Sequence, residues 1–210
     1  MRLIDSVRKA AQGDVFTDVF LKTVIPGTKD RRFSIVKRWL QSGEIIRLKR
    51  GIYTFGEFNR KNGVNLYQAA QAIYGPSYIS MESALSFYGW IPEAVYTVTS
   101  ATLKRAAEFK TEMGVFSYTP VKFKKFYAGV NRIDEKNGVF LMASPWRALA
   151  DYVYAYRKKW TGLKEAENNL RIDAEKFKTA DRKMLDETLS AAVNRRVKVF
   201  LENCKKEVGS

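Results

Sequence analysis

Residues 28–55, TKDRRFSIVKRWLQSGEIIRLKRGIYTF, decide how the chain reads. In the first half apolar residues recur every three or four positions, and in the second half they alternate. A change of period from 3.6 to 2 marks a helix followed by paired strands. The helix is expected to start at Thr28 or Asp30 and run to Gln41, stopped by Ser42 and Gly43. Residues 44–55 read as a β-hairpin with its tip at 49–51. At about 100° per residue, Phe33, Val36 and Leu40 gather within about 60° of one another, as a stripe that packs inward. The opposite face then holds Arg31, Ser34, Ile35, Arg38 and Gln41.

Upstream, residues 3–12 and 15–24 read as two further helices, with Asp14 the expected cap of the second and Pro26-Gly27 its end. Three short helices and a basic hairpin form the outline of a winged helix-turn-helix, whose second motif helix enters the major groove of DNA. The exposed face suits base edges: Arg31 and Arg38 for guanine, Gln41 for adenine, Ser34 for either, and Ile35 for a thymine methyl. Arg32 and Lys37, on the flanks, are placed for phosphates. In the hairpin, Ile46 and Leu48 are expected on one side, and Arg47 and Lys49 on the other. Arg50-Gly51 makes a cationic tip, so Arg47, Lys49 and Arg50 join the phosphate contacts. The competing readings are a solvated basic helix face and an edge hairpin guarded by Lys and Arg.

A polar stretch at 59–65, NRKNGVN, divides the chain into a head, 1–60, and a body, 65–210. The body opens with helices expected at 66–74 and 81–88. Strands follow at 95–99, 106–111, 115–119, 122–127 and 139–143. Residues 144–210 form a helical C-terminal part, with helices at 145–159 and, long and charged, at 181–205. The fold class expected is α+β: the winged head followed by an α/β body.

Composition narrows the function. The 37 Lys and Arg against 22 Asp and Glu leave +15, an excess that attracts polyanions, nucleic acid first among them. The head is the densest part, with 13 basic and 6 acidic residues. There is no histidine, which removes Ser-His-Asp and Cys-His relays, HExxH zinc sites and two-His-one-carboxylate iron sites. With one cysteine, Cys204, neither an intramolecular disulfide nor a multi-cysteine zinc site is available. No cofactor or metal is expected. The N-terminus lacks the apolar core of a signal peptide and no apolar run is long enough to span a bilayer, so a cytoplasmic protein without membrane contact is expected. The enzyme alternative is a Mg²⁺-dependent restriction-like nuclease using Glu93, Glu108 and Lys110, from the E-x-K spacing on an expected strand. A third alternative is a module that docks protein or RNA through the basic C-terminal helix.

Several blocks resemble the AbiEi antitoxins, regulators of type IV toxin/antitoxin and abortive-infection systems. They are Leu48-Lys49-Arg50-Gly51-Ile52-Tyr53; residues 78–93, YISMESALSFYGWIPE; Val98-Thr99-Ser100 with Lys104-Arg105; and residues 140–154, with Ala143-Ser144-Pro145 leading into Ala148-Leu149-Ala150-Asp151. The likeness covers nearly the whole chain. One departure is Trp146-Arg147 after Pro145, where acidic residues or Lys are usual. The resemblance implies a winged-helix head that represses its own operon by binding promoter inverted repeats. It also implies a body that counters a nucleotidyltransferase toxin without a stable complex. A non-enzymatic transcriptional autorepressor and phage-defence antitoxin is the expected function.

Overall fold

A computed structural model of the chain describes residues 2–60 and 63–209. Lys61 and Asn62, inside the expected break at 59–65, lie outside the described residues. The chain is a mixed α+β protein built around two hydrophobic cores, one in the head and one in the body.

The head runs α1 (Leu3–Ala10), β1 (Val15–Thr17), α2 (Asp18–Val24), α3 (Lys29–Gln41), β2 (Ile45–Lys49) and β3 (Ile52–Phe55). Its three strands lie in the order β1-β3-β2, all antiparallel. The helix expected over 15–24 is therefore wrong in its first turn. Val15 to Thr17 pair with Thr54 to Ile52, and Thr17, not Asp14, caps α2 by accepting from the Phe20 amide at 3.3 Å. Two of these three residues are β-branched and favour a pleated surface. In α3, Thr28 is the cap, its hydroxyl accepting from the Arg31 amide at 3.2 Å.

The hairpin departs from simple alternation. Arg47 pairs with Tyr53 and Lys49 with Ile52, so Leu48 is the extra residue of a β-bulge. The bulge breaks the expected sharing of one side by Arg47 and Lys49. Both faces of the hairpin are covered: Ile45, Tyr53 and Phe55 join the head core, while Leu48 belongs to the body core, with Ile52 packed against it.

In the body, α4 (Leu66–Ile73), β4 (Ser77–Ile79), α5 (Met81–Phe87), β5 (Thr97–Thr102), β6 (Ala107–Thr111), β7 (Gly114–Pro120), β8 (Val130–Glu135) and β9 (Gly138–Ala143) precede α6 (Pro145–Ala155). The strands form one mixed sheet, β6-β7-β5-β4-β9-β8, parallel only at β5–β7 and β4–β9. The strand expected at 122–127 does not form. Its Phe123 instead lies under the Arg147 guanidinium, 3.5 Å from the ring centre, and makes a single bridge to Ala192.

Four helices close the chain: α7 (Leu163–Leu170), α8 (Ala174–Thr179), α9 (Arg182–Ala191) and α10 (Arg195–Gly209). The single helix expected over 181–205 is interrupted where Ala192 turns extended. Asn194 then restarts the helix by accepting from the Arg196 amide at 3.0 Å. Under α6, Arg147 and Asp151 are both fully buried and paired at 3.0 Å. Tyr78 (2.8 Å) and Ser80 (2.7 Å) donate to the same carboxylate, and the guanidinium donates to the Ala128 carbonyl at 2.6 Å and to Tyr78. Of the Trp146-Arg147 departure, Arg147 thus belongs to a hydrogen-bonded interior network, while Trp146 packs against Trp90 and Phe177. Among the described residues no helix is long and apolar enough to cross a membrane.

Candidate nucleic-acid interface

Helix α3 buries Ile35, Val36 and Trp39. Relative to the expected stripe of Phe33, Val36 and Leu40, the helix is turned by about 90° about its axis. Ile35 is 5% exposed and packs in the head core, so it offers no surface to a base; that placement is corrected. Phe33, expected inside, is 67% exposed. The signal for this orientation was available as the i,i+4 pair Ile35/Trp39, which outweighs Phe33 once tryptophan is counted in the stripe.

The remaining face of α3 is open. Arg31, Ser34, Lys37, Arg38 and Gln41 are all exposed, and Arg32 is half-buried. Arg31 and Arg32 curl back onto the turn before the helix, donating to the Pro26 and Gly27 carbonyls. Arg38 and Lys37 make no ion pair among the described residues. On one flank, a shallow groove of about 490 Å³ runs between α1 and α3, lined by Arg31, Ser34, Arg38 and Glu44 among others.

On the other flank a larger groove, about 710 Å³, lies between α2, α3 and the hairpin. Arg32, Arg47 and Arg50 line it together with Lys22 and Lys29, two cations the sequence reasoning passed over. Its one acid, Asp18, stands at the hairpin turn, where its backbone amide donates to the Gly51 carbonyl at 2.9 Å and its carboxylate lies against the Tyr53 phenol. Burial first, and then the Asp18 charge beside it, push the Tyr53 phenol above its ordinary range, so it stays neutral.

Lys49 points elsewhere. Its ammonium donates to the Ile73 carbonyl at 3.0 Å and sits 4.5 Å from the Phe109 ring centre and 5.3 Å from that of Tyr74. The bulge at Leu48 puts it on the body-facing side, so its expected phosphate contact is corrected as well. The structure therefore brings together Arg31, Arg32, Ser34, Lys37, Arg38, Gln41, Arg47 and Arg50, and separates Ile35 and Lys49 from them.

The residues of the nuclease alternative are distributed differently. Glu108 and Lys110 face each other at 3.8 Å on the exposed side of β6, an edge strand. Glu93 is held by Arg171, whose guanidinium donates to it at 2.8 Å and holds its carboxyl below the usual carboxylate range. No group of three or more Cys, Asp or Glu able to hold a metal occurs among the described residues.

No protein-family model matches the chain, and no curated protein matches it.

Proposed function

We propose that the chain is a sequence-specific duplex-DNA-binding transcriptional regulator, cytoplasmic and non-enzymatic, whose head is a winged helix-turn-helix. The element order α1-β1-α2-α3-β2-β3 and the strand order β1-β3-β2 support that assignment. The observation that carries it is the open face of α3, with Ser34, Arg38 and Gln41 exposed and a groove on either flank, the one toward the hairpin lined by Arg47 and Arg50. A helix about 10–12 Å across fits the major groove, and cations on both sides of it meet the two phosphate ridges. In this reading Arg38, Gln41 and Ser34 contact base edges, Arg31 reaches them on release from Pro26, and Arg32, Lys37, Arg47 and Arg50 hold phosphates. A net charge of +15 draws the chain onto DNA before any base is read.

The finer role, an AbiEi-like antitoxin that represses its own promoter through inverted repeats and opposes a nucleotidyltransferase toxin without binding it stably, rests on the sequence blocks at 48–53, 78–93 and 140–154.

The test is a pair of substitutions measured on duplexes selected from a random pool. Arg38→Ala should weaken the preferred duplex by about 1–3 kcal/mol and relax one base position. Arg50→Ala should weaken all duplexes nearly evenly and reduce the slope of log affinity against log salt by about 0.9. Affinity unchanged in both variants would overturn the assignment. For the finer role, the full chain co-expressed with a growth-arresting nucleotidyltransferase toxin of a type IV system should restore growth.

A further inference from the structure

Phe33 and Val19 project from α3 and α2 into the larger groove with 67% and 74% of their surface in water. Single exposed apolar side chains are common and mean little alone. The surroundings of Phe33 are what distinguish it. Lys29 and Lys37, four residues to either side, share its row on the helix. Across the groove stand Arg47 and Arg50, with Lys22 on the near rim. An apolar spot rimmed by five cations against the one acid, Asp18, calls for a partner that is apolar at one point and anionic around it.

Duplex DNA has one such feature. The 5-methyl of thymine is the only methyl on the major-groove edge of the unmodified bases, and it projects at the groove's outer margin, beside the backbone phosphate. A side chain that meets it must itself be apolar and have phosphate-binding cations next to it. Phe33 satisfies both conditions, and it stands on the hairpin-facing margin of α3 rather than at its crest.

We propose that Phe33 reads a thymine methyl in the bound duplex and sets the base preference at the hairpin-facing margin of α3, with Val19 enlarging the apolar contact. This rests on the duplex-DNA function proposed above. It names a contact that Ile35, buried in the head core, cannot make.

The experiment uses the full chain and the best duplex it selects from a random pool, with each thymine replaced in turn by deoxyuridine, which removes only the methyl. Fluorescence anisotropy reads the affinity. At one thymine or more the unmodified chain should lose about fourfold, the value of one buried methyl. F33A should bind the thymine duplex more weakly and treat thymine and deoxyuridine alike, whereas F33L should keep part of the discrimination. Phe33 is mostly solvent-exposed, so F33A should melt at the parent temperature; if it does not, V19S supplies the same test from α2. Tolerance of deoxyuridine at every position, or equal discrimination by F33A and the parent, overturns the proposal while leaving DNA binding intact. The same holds if F33A alters self-association or acidic-protein capture but not DNA affinity. Failure to select any preferred duplex removes the DNA function and this contact together.

Discussion

Ile35 and Phe33 are two positions apart, and exchanging their roles changes which residue meets a ligand and which holds the fold. Ile35 is 5% exposed within the head core, so Ile35→Ala should act as a cavity mutation. It should lower stability by about 2–5 kcal/mol in urea unfolding while leaving base preference unchanged. A larger change in base preference than in stability would return Ile35 to the surface. Arg147 belongs to the same scale. It and Asp151 are fully buried, and every polar contact of the carboxylate is internal. Arg147→Met strands that charge and should cost about 3–5 kcal/mol. The double variant R147M/D151N should recover part of the loss, and with the single variant D151N measured in the same unfolding assay the double-mutant cycle gives the coupling.

At the scale of elements, the hairpin tip is tightly constrained. Gly51 sits at φ +79°, and a Cβ there would come within 2.9 Å of the Asp18 carboxylate. Gly51→Ala should therefore cost about 1–2 kcal/mol and displace Arg50, reducing duplex affinity as well; thermal melts and anisotropy check the two effects. Elements whose signal is local were legible in the sequence. α3, with its Thr28 cap and its Ser42-Gly43 end, lies at Lys29–Gln41, and the hairpin around Arg50-Gly51 lies where alternation and the turn indicate. Elements decided by distant partners were not legible. β1 has three residues and exists because β3 pairs with it, and β4 is likewise completed by β9, far along the chain; β8 is the exception, since it pairs with the next strand, β9, across the short turn at Lys136-Asn137. The segment 122–127 has strand composition, but Phe123 is claimed by Arg147 instead of a ladder. The break at Ala192–Asn194 was readable, because Asn194 is a good N-cap, yet the charged periodicity on either side concealed it. The candidate site divides the same way. The exposed polar residues of α3 follow from its period, whereas the redirection of Lys49 depends on a bulge that no periodicity announces.

For the molecule as a whole, the question is how head and body are joined. Lys49 donates to α4 at Ile73 and lies over Phe109 of β6, so it fastens the head to the body. Lys49→Ala should keep duplex affinity within about twofold while lowering stability by about 1–2 kcal/mol, the usual size of a hydrogen bond to a charged group with its cation–π contact. The opposite pattern, weaker DNA binding at parent stability, would mean that Lys49 faces the ligand after all. The same strand, β2, supplies Ile45 to one core and Leu48 to the other. A strand anchored at both ends leaves no pivot between α3 and the mass behind it. On the proposed DNA-binding function, two copies on a paired operator would meet at a distance fixed by their own outlines, and the spacing of the half-sites would become a ruler graduated in turns of the double helix.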